Sequence, residues 1–289
     1  MLSCSHLHSI ERARPLLGTV VAVRVSDVTP RAAHRAIDRA FASISEVHAL
    51  MSFQEAASDV SRINREALRA PVTVHAHTFR VLKWAARMAQ ISSGVFDVSI
   101  GSTLVDWGLL PAPDADAAPD PHATFRDIEL LDGRRVQLRR PLWIDLSGIA
   151  KGYAVDCAVA ALRRSGITRA CVNAGGDLRV VGAEAEAVAI RTAFAPAESR
   201  PIIEISDGAL ATNGGPTRCH VAAHTSKAID MRTTVAVLAR RCVLADALTK
   251  VVLANEAGSP RILRHFNAHA YIHHPDYPGQ GWRSVGELR

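Results

Sequence analysis

The segment from Ile144 to Asp156, IDLSGIAKGYAVD, combines carboxylates with two glycines and a single lysine. Its composition predicts a strand over residues 142–146 and a helix over residues 153–164. Free backbone N–H groups at the start of a helix can bind phosphate oxygens, and Lys151 would add a positive charge there. The order is not that of a P-loop, in which a lysine and then Ser or Thr follow the last glycine. An ordinary glycine turn with a solvated lysine fits the pattern equally well.

Three further aspartates, one of them next to a pair of glycines, lie where they could contact a ligand. Asp145 lies in the predicted strand, Asp177 follows Gly175 and Gly176, and Asp97 comes just after a predicted helix end. Glycines let the backbone approach a flat or anionic ligand closely, but they serve equally well in a tight hairpin. A turn is the commoner role for an aspartate such as Asp97. Ligand binding and a local turn therefore both stay open for these residues.

The segment RCVLADALTKVV, residues 241–252, has the apolar pattern of a helix, interrupted by Asp246, Thr249 and Lys250. A carboxylate and a hydroxyl one turn apart could hold a hard cation such as magnesium through oxygen atoms. The alternative is an internal ion pair between Asp246 and Lys250, which lie four residues apart on one helix. The residues alone favour the ion pair.

The histidines and cysteines give little indication of another metal site. None of the 13 histidines falls in an HExxH pattern, and no two of the five cysteines have a CxxC spacing. His220 and His224 are four residues apart, but their neighbours predict a loop or a strand and not a helix. The cysteine content fits a reduced compartment best.

The composition is that of an ordinary globular protein, with 48% hydrophobic and 21% charged residues in a chain of 289. The net charge of +6 suits an anionic ligand, but the Lys and Arg residues are scattered and aromatic residues make up only 5%. We therefore expect no nucleic-acid partner. No apolar run reaches the roughly 18 residues of a membrane span, and the amino terminus has no signal-peptide pattern. We expect no membrane span and a cytoplasmic location, or a periplasmic one if the amino terminus is truncated.

The elements that must position these residues alternate unevenly between helices and strands. The predicted strands cover residues 18–25, 135–138 and 169–173, and two predicted helices cover residues 31–51 and 78–93. Ser58 is placed to cap another helix that ends at Arg65. The composition of residues 111–121, PAPDADAAPDP, predicts a loop, and NAGGD at residues 173–177 predicts a hairpin. This order predicts an α+β fold and not a regular doubly wound sheet.

The order of the motifs is more specific than any one of them. From about Leu17 to Ala254 the chain reads LGT, MSF with SRIN, GVFD, IDLSGIAKGYAVD, VNAGGDLRV, ALATNGG and ADALTK. This series resembles the FAD:protein FMN transferase (ApbE-like) family. The resemblance implies mixed or antiparallel sheets with packed helices in a single compact unit, a T-fold-like architecture. It makes residues 1–16 an amino-terminal extension and residues 17–289 the flavin transferase-like domain, with an internal loop at 111–121.

The resemblance also implies an activity and a set of site residues. Family members bind FAD, hold magnesium (Mg) at its diphosphate, transfer FMN to a threonine or serine of an acceptor flavoprotein and release AMP. The implied FAD-binding residues are Leu17, Phe53, Val95, Phe96, Asp97, Asp145, Lys151, Gly175, Gly176 and Asp177. The implied metal site consists of Gly148, through its carbonyl, with Asp246, Thr249 and Lys250. The implied catalytic residues are His220, as the base for the acceptor hydroxyl, and Asp246.

The chain departs from the family pattern at several of these positions. Lys250 stands where the family commonly has the metal-binding threonine, and Thr249 comes one residue earlier. The segment HVAAHTS keeps His220 but lacks the acidic, proline and arginine residues that usually follow it. Leu17 stands in place of a methionine, and Phe53 in place of a frequent tyrosine. Two other functions therefore stay open: an FAD pyrophosphatase, with water as acceptor, and an FAD-binding protein without catalysis.

Overall fold

The computed structural model describes residues 9–115, 117–190, 201–213, 221–222, 227–228, 232–274 and 281–286. Its helices are α1 (Pro30–Met51), α2 (Asp59–Glu66), α3 (Ala76–Ile91), α4 (Gly101–Asp106), α5 (Ser147–Arg164), α6 (Cys242–Ala254) and α7 (Ser259–His265). Its strands are β1 (Ile10–Leu16), β2 (Thr19–Val25), β3 (Val72–Thr73), β4 (Ile128–Leu131), β5 (Arg135–Leu138), β6 (Ala170–Ala174), β7 (Asp177–Val181), β8 (Glu186–Ala189), β9 (Ile202–Ile205), β10 (Ala209–Asn213), β11 (Val221–Ala222), β12 (Lys227–Ala228), β13 (Thr234–Ala239), β14 (His269–His273) and β15 (Trp282–Val285).

The fold is built on an eight-stranded sheet with the order β1-β2-β6-β7-β10-β13-β14-β15. Every described pair of neighbouring strands in it is antiparallel. A three-stranded sheet, β3-β5-β4, and two short hairpins, β8-β9 and β11-β12, complete the described strands. The predicted α+β class with antiparallel sheets and packed helices is therefore confirmed.

The two faces of the main sheet carry different cores. On one face, α5 packs between α1 and α6, and α5 and α6 cover the central strands. On the other face, a smaller apolar cluster joins Leu178, Val180 and Leu210 to Ile203 and Ile205 of the β8-β9 hairpin. Since side chains alternate between faces along a strand, Ala209 and Ala211 flank Leu210 but belong to the helix-side core.

Local sequence signals account for the first helices. The amphipathic pattern of α1 is confirmed, since the predicted apolar positions are all buried: Ala33, Ile37, Phe41, Ile44, Val47 and Met51. At α2, the side chain of Ser58 accepts a hydrogen bond of 3.0 Å from the backbone N–H of Ser61. The predicted cap is therefore confirmed.

The start of α5 differs from the prediction. The helix begins at Ser147 and not at Tyr153, so Gly148, Lys151 and Gly152 all lie inside it. Glycine lowers helix propensity, which is why the sequence indicated a turn here. Close packing against α6 overrides that preference, because a side chain at Gly152 would overlap the backbone of Cys242.

The predicted strand over residues 142–146 is wrong, since no strand is assigned there. The side chain of Asn64 takes the place of a strand partner: its Oδ1 accepts from Ile144 N at 2.7 Å and its Nδ2 donates to Ile144 O at 3.0 Å. The backbone on either side bonds to the segment before α4, with Trp143 O accepting from Gly101 N and Asp145 N donating to Val98 O. These hydrogen bonds hold the segment in place without making it part of a sheet.

The chain before Leu17 also contributes to the sheet. Residues 10–16, which the resemblance assigned to an extension, form β1 and pair with β2 from Ile10 opposite Val25 to Leu16 opposite Thr19. The described residues of the predicted loop at 111–121 contain no helix or strand. Among the described residues, no helix is both long enough and apolar enough to cross a membrane.

Candidate functional site

Two hairpin turns lie side by side at one end of the main sheet. Leu17 and Gly18 form the turn between β1 and β2, with φ of 55° and 67°. Gly175 and Gly176 form the turn between β6 and β7, with φ of 64° and 101°. A Cβ atom on Gly175 would lie 2.3 Å from Oγ1 of Thr19, so the neighbouring strand leaves no room for a side chain there. The predicted NAGGD hairpin is confirmed, and it places Leu17 close to the glycine pair.

Asp177, the first residue after the second turn, forms an ion pair with Lys151 of α5. The distance from Nζ to Oδ2 is 2.5 Å, and the side chains are 17% and 2% exposed for Lys151 and Asp177. Burial raises the pKa of Asp177 to about 6, and the charge of nearby Asp246 acts in the same direction. The ammonium of Lys151 acts in the opposite direction. Lys151 is therefore not the solvated lysine of an ordinary turn.

Asp246 lies in the middle of α6 and is fully buried. Its Oδ2 accepts a hydrogen bond of 2.9 Å from the backbone N–H of Gly152 in α5. Its Oδ1 is in contact with the ammonium of Lys250, one turn later on the same helix. The same ammonium donates to the backbone oxygen of Asp246 at 3.1 Å. The internal ion pair, one of the two alternatives from the sequence, is present.

The hydroxyl of Thr249 is also engaged. It donates to the backbone oxygen of Asp246 at 2.7 Å and accepts from Nδ2 of Asn213 at 3.0 Å. Asn213 ends β10, next to Thr212, whose N–H donates to the oxygen of Gly176. Sequence reasoning did not single out Asn213, although it lies in the ALATNGG motif, because its partner is 36 residues away.

Gly148, Phe96 and Asp145 complete this end of the molecule. A Cβ atom on Gly148 would lie 3.7 Å from Cε2 of Phe96 and 3.8 Å from Cε of Lys250, so these three residues meet at one point. Asp145 accepts a 2.5 Å hydrogen bond from the hydroxyl of Ser147. Burial raises the pKa of Asp145, while the charge of Lys250 acts to lower it. Lys250 is thus close enough to Asp145 for its positive charge to influence the pKa of that carboxyl.

Asp97 holds a turn, as the commoner alternative predicts. Its carboxylate accepts from the backbone N–H of Ser99 at 2.8 Å, from the hydroxyl of Ser99 at 2.7 Å and from the N–H of Phe125 at 3.0 Å. Burial raises the pKa of this carboxyl. Asp97 also lines a cleft of about 900 Å³ that includes Trp107 and Trp143.

No described contact joins Phe53 or Val95 to the charged residues of this cluster. Phe53 and Val95 are partly buried and pack against the main apolar core. The described hydrogen bonds of both are local, from the hydroxyl of Ser61 to Phe53 O and from Val95 N to Ser92 O. His220, the predicted base, lies outside the residues that the structure describes.

A second long-range contact, which the sequence did not indicate, fixes the position of α6. The carboxylate of Asp156 in α5 accepts from the backbone N–H groups of Cys242 at 3.2 Å and Val243 at 3.1 Å. These belong to the first turn of α6, whose N–H groups have no partner within the helix. Arg179 donates to the same carboxylate at 2.5 Å. One aspartate of α5 therefore anchors the helix that carries Asp246.

Another group of possible metal ligands lies away from the turns. It consists of Glu46, His75 and His77, each of which offers one ligand atom, and these three atoms lie within 4.8 Å of one another. His75 caps α3 in an extended conformation, which lets two histidines at i and i+2 point to one place. Nδ1 of His77 is 2.7 Å from the hydroxyl of Tyr153, to which Arg80 also donates. The positive charge of Arg80 disfavours a cation here, and we assign no metal to this group.

Comparisons with known proteins agree with the arrangement of the motifs. The sequence model of the ApbE family matches residues 17–272. The FAD:protein FMN transferase of Vibrio cholerae is 30% identical over 241 residues, which cover 74% of this chain and 72% of that protein. The FAD:protein FMN transferase of Treponema pallidum is 27% identical, and the match covers 62% of this chain and about half, 53%, of that protein.

Solved structures show the same fold. The flavin transferase ApbE from Vibrio cholerae has a TM-score of 0.78 at 23% identity, with 96% of this chain and 97% of that chain covered. The apo form of the Pseudomonas stutzeri flavinyl transferase ApbE has a TM-score of 0.81 at 17% identity, with 98% and 96% covered. The family match spans most of the chain, and its first residue coincides with the predicted start at Leu17. The chain belongs to the ApbE family.

Proposed function

We propose that this protein transfers the FMN part of FAD to a threonine or serine hydroxyl of an acceptor protein and releases AMP. One observation carries the proposal: residues of the IDLSGIAKG, VNAGGD and ADALTK motifs meet at one end of the sheet, around the ion pair of Lys151 with Asp177. The ammonium of Lys151 lies beside the Gly175-Gly176 turn and belongs to the second turn of α5. A cation, a close-approach turn and a helix start together suit the diphosphate of a dinucleotide.

The proposed transfer needs only FAD and the acceptor hydroxyl as reactants. The acceptor hydroxyl oxygen forms a bond to the phosphorus of the FMN half, and the bond from that phosphorus to the bridging oxygen breaks. AMP leaves with the bridging oxygen, and the hydroxyl proton passes to a base. The protein's contribution to such a reaction is positioning and neutralisation of charge. On this proposal Lys151 supplies charge at the diphosphate, the glycine turns leave room for it, and His220 stays the predicted base.

The magnesium ion that the resemblance implies can be tested against its expected ligands. Magnesium needs near-octahedral coordination by oxygen atoms. Both carboxylate oxygens of Asp246 are engaged, one by the N–H of Gly152 and one by the ammonium of Lys250. The hydroxyl of Thr249 donates to the backbone oxygen of Asp246, and its oxygen accepts from Nδ2 of Asn213. These residues, as placed, do not fit a bound magnesium ion, and we derive no step through one.

The contact between Asp246 and Lys250 favours a second candidate function. A protein in which an ammonium takes the predicted metal position could bind FAD without turning it over. The third candidate, hydrolysis of FAD to FMN and AMP, differs only in using water as the acceptor.

One experiment separates the three. The purified protein is incubated with FAD, with and without candidate acceptor proteins that carry a threonine or serine, and AMP and the acceptor mass are followed by mass spectrometry. Lys151→Met serves as the variant that lacks the charge, with its fold checked by circular dichroism. AMP together with an FMN-modified acceptor supports transfer, provided that Lys151→Met loses both. AMP without any acceptor supports hydrolysis, and bound FAD without AMP supports the binding protein.

The identity of the acceptor and the cytoplasmic location stay predictions. FAD as the substrate follows from the proposed transfer, and the acceptor would be a flavoprotein that carries FMN on a hydroxyl group. Sequencing of the FMN-modified peptide from an acceptor found in this way would identify the modified residue.

A further inference from the structure

We propose that the ammonium of Lys250 is a built-in cation on Asp246, in the place that the resemblance gives to a divalent metal. With it, this protein binds the diphosphate of FAD without a metal ion. The inference rests on the proposed function in one respect, namely that FAD binds at this end of the sheet. Its other part, the exclusion of a metal from Asp246, can be measured without FAD.

The ion pair is built into one helix. Asp246 and Lys250 are four residues apart on α6, a spacing that brings the two side chains together on one face of the helix. The side chain of Asp246 is fully buried and that of Lys250 is 16% exposed. A buried carboxylate that lost its partner would be strongly unfavourable. A metal ion would therefore have to displace the ammonium of Lys250, which is attached to the same helix as Asp246.

The other carboxylate oxygen of Asp246 is held in place by the backbone of α5. It accepts from the N–H of Gly152, at the point where α5 crosses α6. A Cβ atom on Gly152 would lie 2.3 Å from the oxygen of Cys242, so the two helix backbones are already as close as they can be. Asp156, which accepts from the first turn of α6, fixes the crossing at a second point. The carboxylate is thus held in an orientation that suits the ammonium.

Lys250 is also placed to meet a ligand. Its Cε lies 3.8 Å from the position of a Cβ on Gly148, in the first turn of α5. Its ammonium has three N–H donors, and the described contacts use two, both to Asp246. The third donor is left for an oxygen of the ligand.

The charges at this end of the sheet require Lys250. Asp145, Asp177 and Asp246 are all buried, and among the described residues the ammonium groups that act on them are those of Lys151 and Lys250. Without Lys250, one ammonium would face three carboxylates, and a diphosphate would be repelled. A relative with a hydroxyl at this position would need a metal to restore the balance, whereas this chain carries the charge itself.

The test compares the wild-type protein with Lys250→Thr and Lys250→Met. Lys250→Thr puts a hydroxyl four residues after Asp246 and removes the ammonium, and Lys250→Met removes the ammonium without adding a metal ligand. Binding of Mn²⁺ to the proteins without FAD is measured by electron paramagnetic resonance. Binding of FAD is measured by flavin fluorescence in magnesium and in EDTA, and thermal unfolding confirms that both variants are folded.

We expect the wild-type protein to bind FAD equally well, within about threefold, in magnesium and in EDTA. Lys250→Met should bind FAD at least about 10-fold more weakly in both solutions, because one charge near the diphosphate is lost. Lys250→Thr should bind Mn²⁺ on the order of 100-fold more tightly than the wild type, since no ammonium has to be displaced. Its FAD binding should depend on the metal.

Two results would overturn the inference: Mn²⁺ binding to the wild-type protein as tight as to Lys250→Thr, or loss of FAD binding by the wild type in EDTA. Absence of FAD binding by the wild type in both solutions would count against the proposed function instead. The Mn²⁺ measurement keeps its meaning in that case, because it contains no FAD.

Discussion

The crossing of α5 and α6 makes a sharp prediction about Gly152. In a Gly152→Ala variant, the new Cβ would lie 2.3 Å from the oxygen of Cys242 and 2.7 Å from Cβ of Asp246. Real Cβ atoms essentially never approach other atoms closer than 3.0 Å, so the helices must move apart by on the order of 1 Å. The hydrogen bond from Gly152 to Asp246 would lengthen with them. Neither obstacle is the end of a flexible side chain that could turn away.

The free energy of unfolding should fall by about 2 kcal/mol. Overpacking costs about 1–3 kcal/mol, and the upper end applies because backbone atoms are involved. Replacing a helical glycine by alanine returns roughly 1 kcal/mol of helix propensity. Gly148→Ala is the matched control, since it lies in the same helix and its Cβ would meet its nearest neighbours at 3.7 and 3.8 Å, an ordinary contact. That variant should be unchanged or stabilised by up to about 1 kcal/mol.

Thermal unfolding of the two variants without ligand is the assay. A difference of about 3 kcal/mol corresponds to about 6–12 °C for a domain of this size. Urea unfolding should give the same order, with Gly152→Ala below the wild type and Gly148→Ala at or above it. Equal unfolding temperatures for the two variants would refute the reasoning, because they would mean that α5 and α6 do not cross as closely as the structure places them.

Three further predictions concern stability and thiol chemistry. Asn64→Ala should lower the free energy of unfolding by about 2–4 kcal/mol in urea, because both backbone polar groups of Ile144 lose their partner; a loss below about 1 kcal/mol would contradict this. Ser58→Ala should cost about 1–3 kcal/mol, because it loses both the helix cap and the hydrogen bond that the hydroxyl donates to Ser52 O, whereas Ser58→Thr, which keeps a hydroxyl, should cost less. Burial raises the pKa of the Cys157 and Cys171 thiols to about 11. At pH 8 iodoacetamide should therefore modify these two cysteines about 200-fold more slowly in the folded protein than in urea, and the rate should increase as the pH rises. Mass spectrometry of the peptides measures the rates, and equal rates in the two conditions would show that the thiols are not protected.

The parts of the fold that the sequence predicted depend on local signals. The amphipathic pattern of α1, the cap at Ser58 and the NAGGD hairpin each need only residues within one element or one turn. The limits of β5 were predicted without error at Arg135 and Leu138. In each case the residues that decide the structure are neighbours in the chain.

The parts that were wrong depend on contacts between distant residues. Gly152 favours a turn by its own propensity. The reason for a glycine inside a helix there is the contact with α6, whose Asp246 lies 94 residues further along the chain. Residues 142–146 have the composition of a strand, but their partner is the side chain of Asn64, 80 residues earlier. A single sequence does not contain the information that these segments meet.

The same division holds at the candidate site. The ion pair of Asp246 with Lys250 could be predicted because both residues lie on one helix. The pair of Lys151 with Asp177 and the contact of Asp156 with the start of α6 could not, because they join different elements. The order of motifs predicted a common site for these residues, but not which of them pair.

These pairs make α5 the element on which the site depends. Lys151 ties it to β7 at the glycine turn, while Gly152 and Asp156 tie it to α6 at two points. A displacement of the whole helix would therefore move the turn and the carboxylate of Asp246 together. An ammonium can keep its carboxylate and still donate to a phosphate oxygen, because it has more than one donor. On the proposal above, the site would take up an anion without breaking the pairs that hold its three elements in place, because the ion pairs of Lys151 and Lys250 are present before any ligand binds.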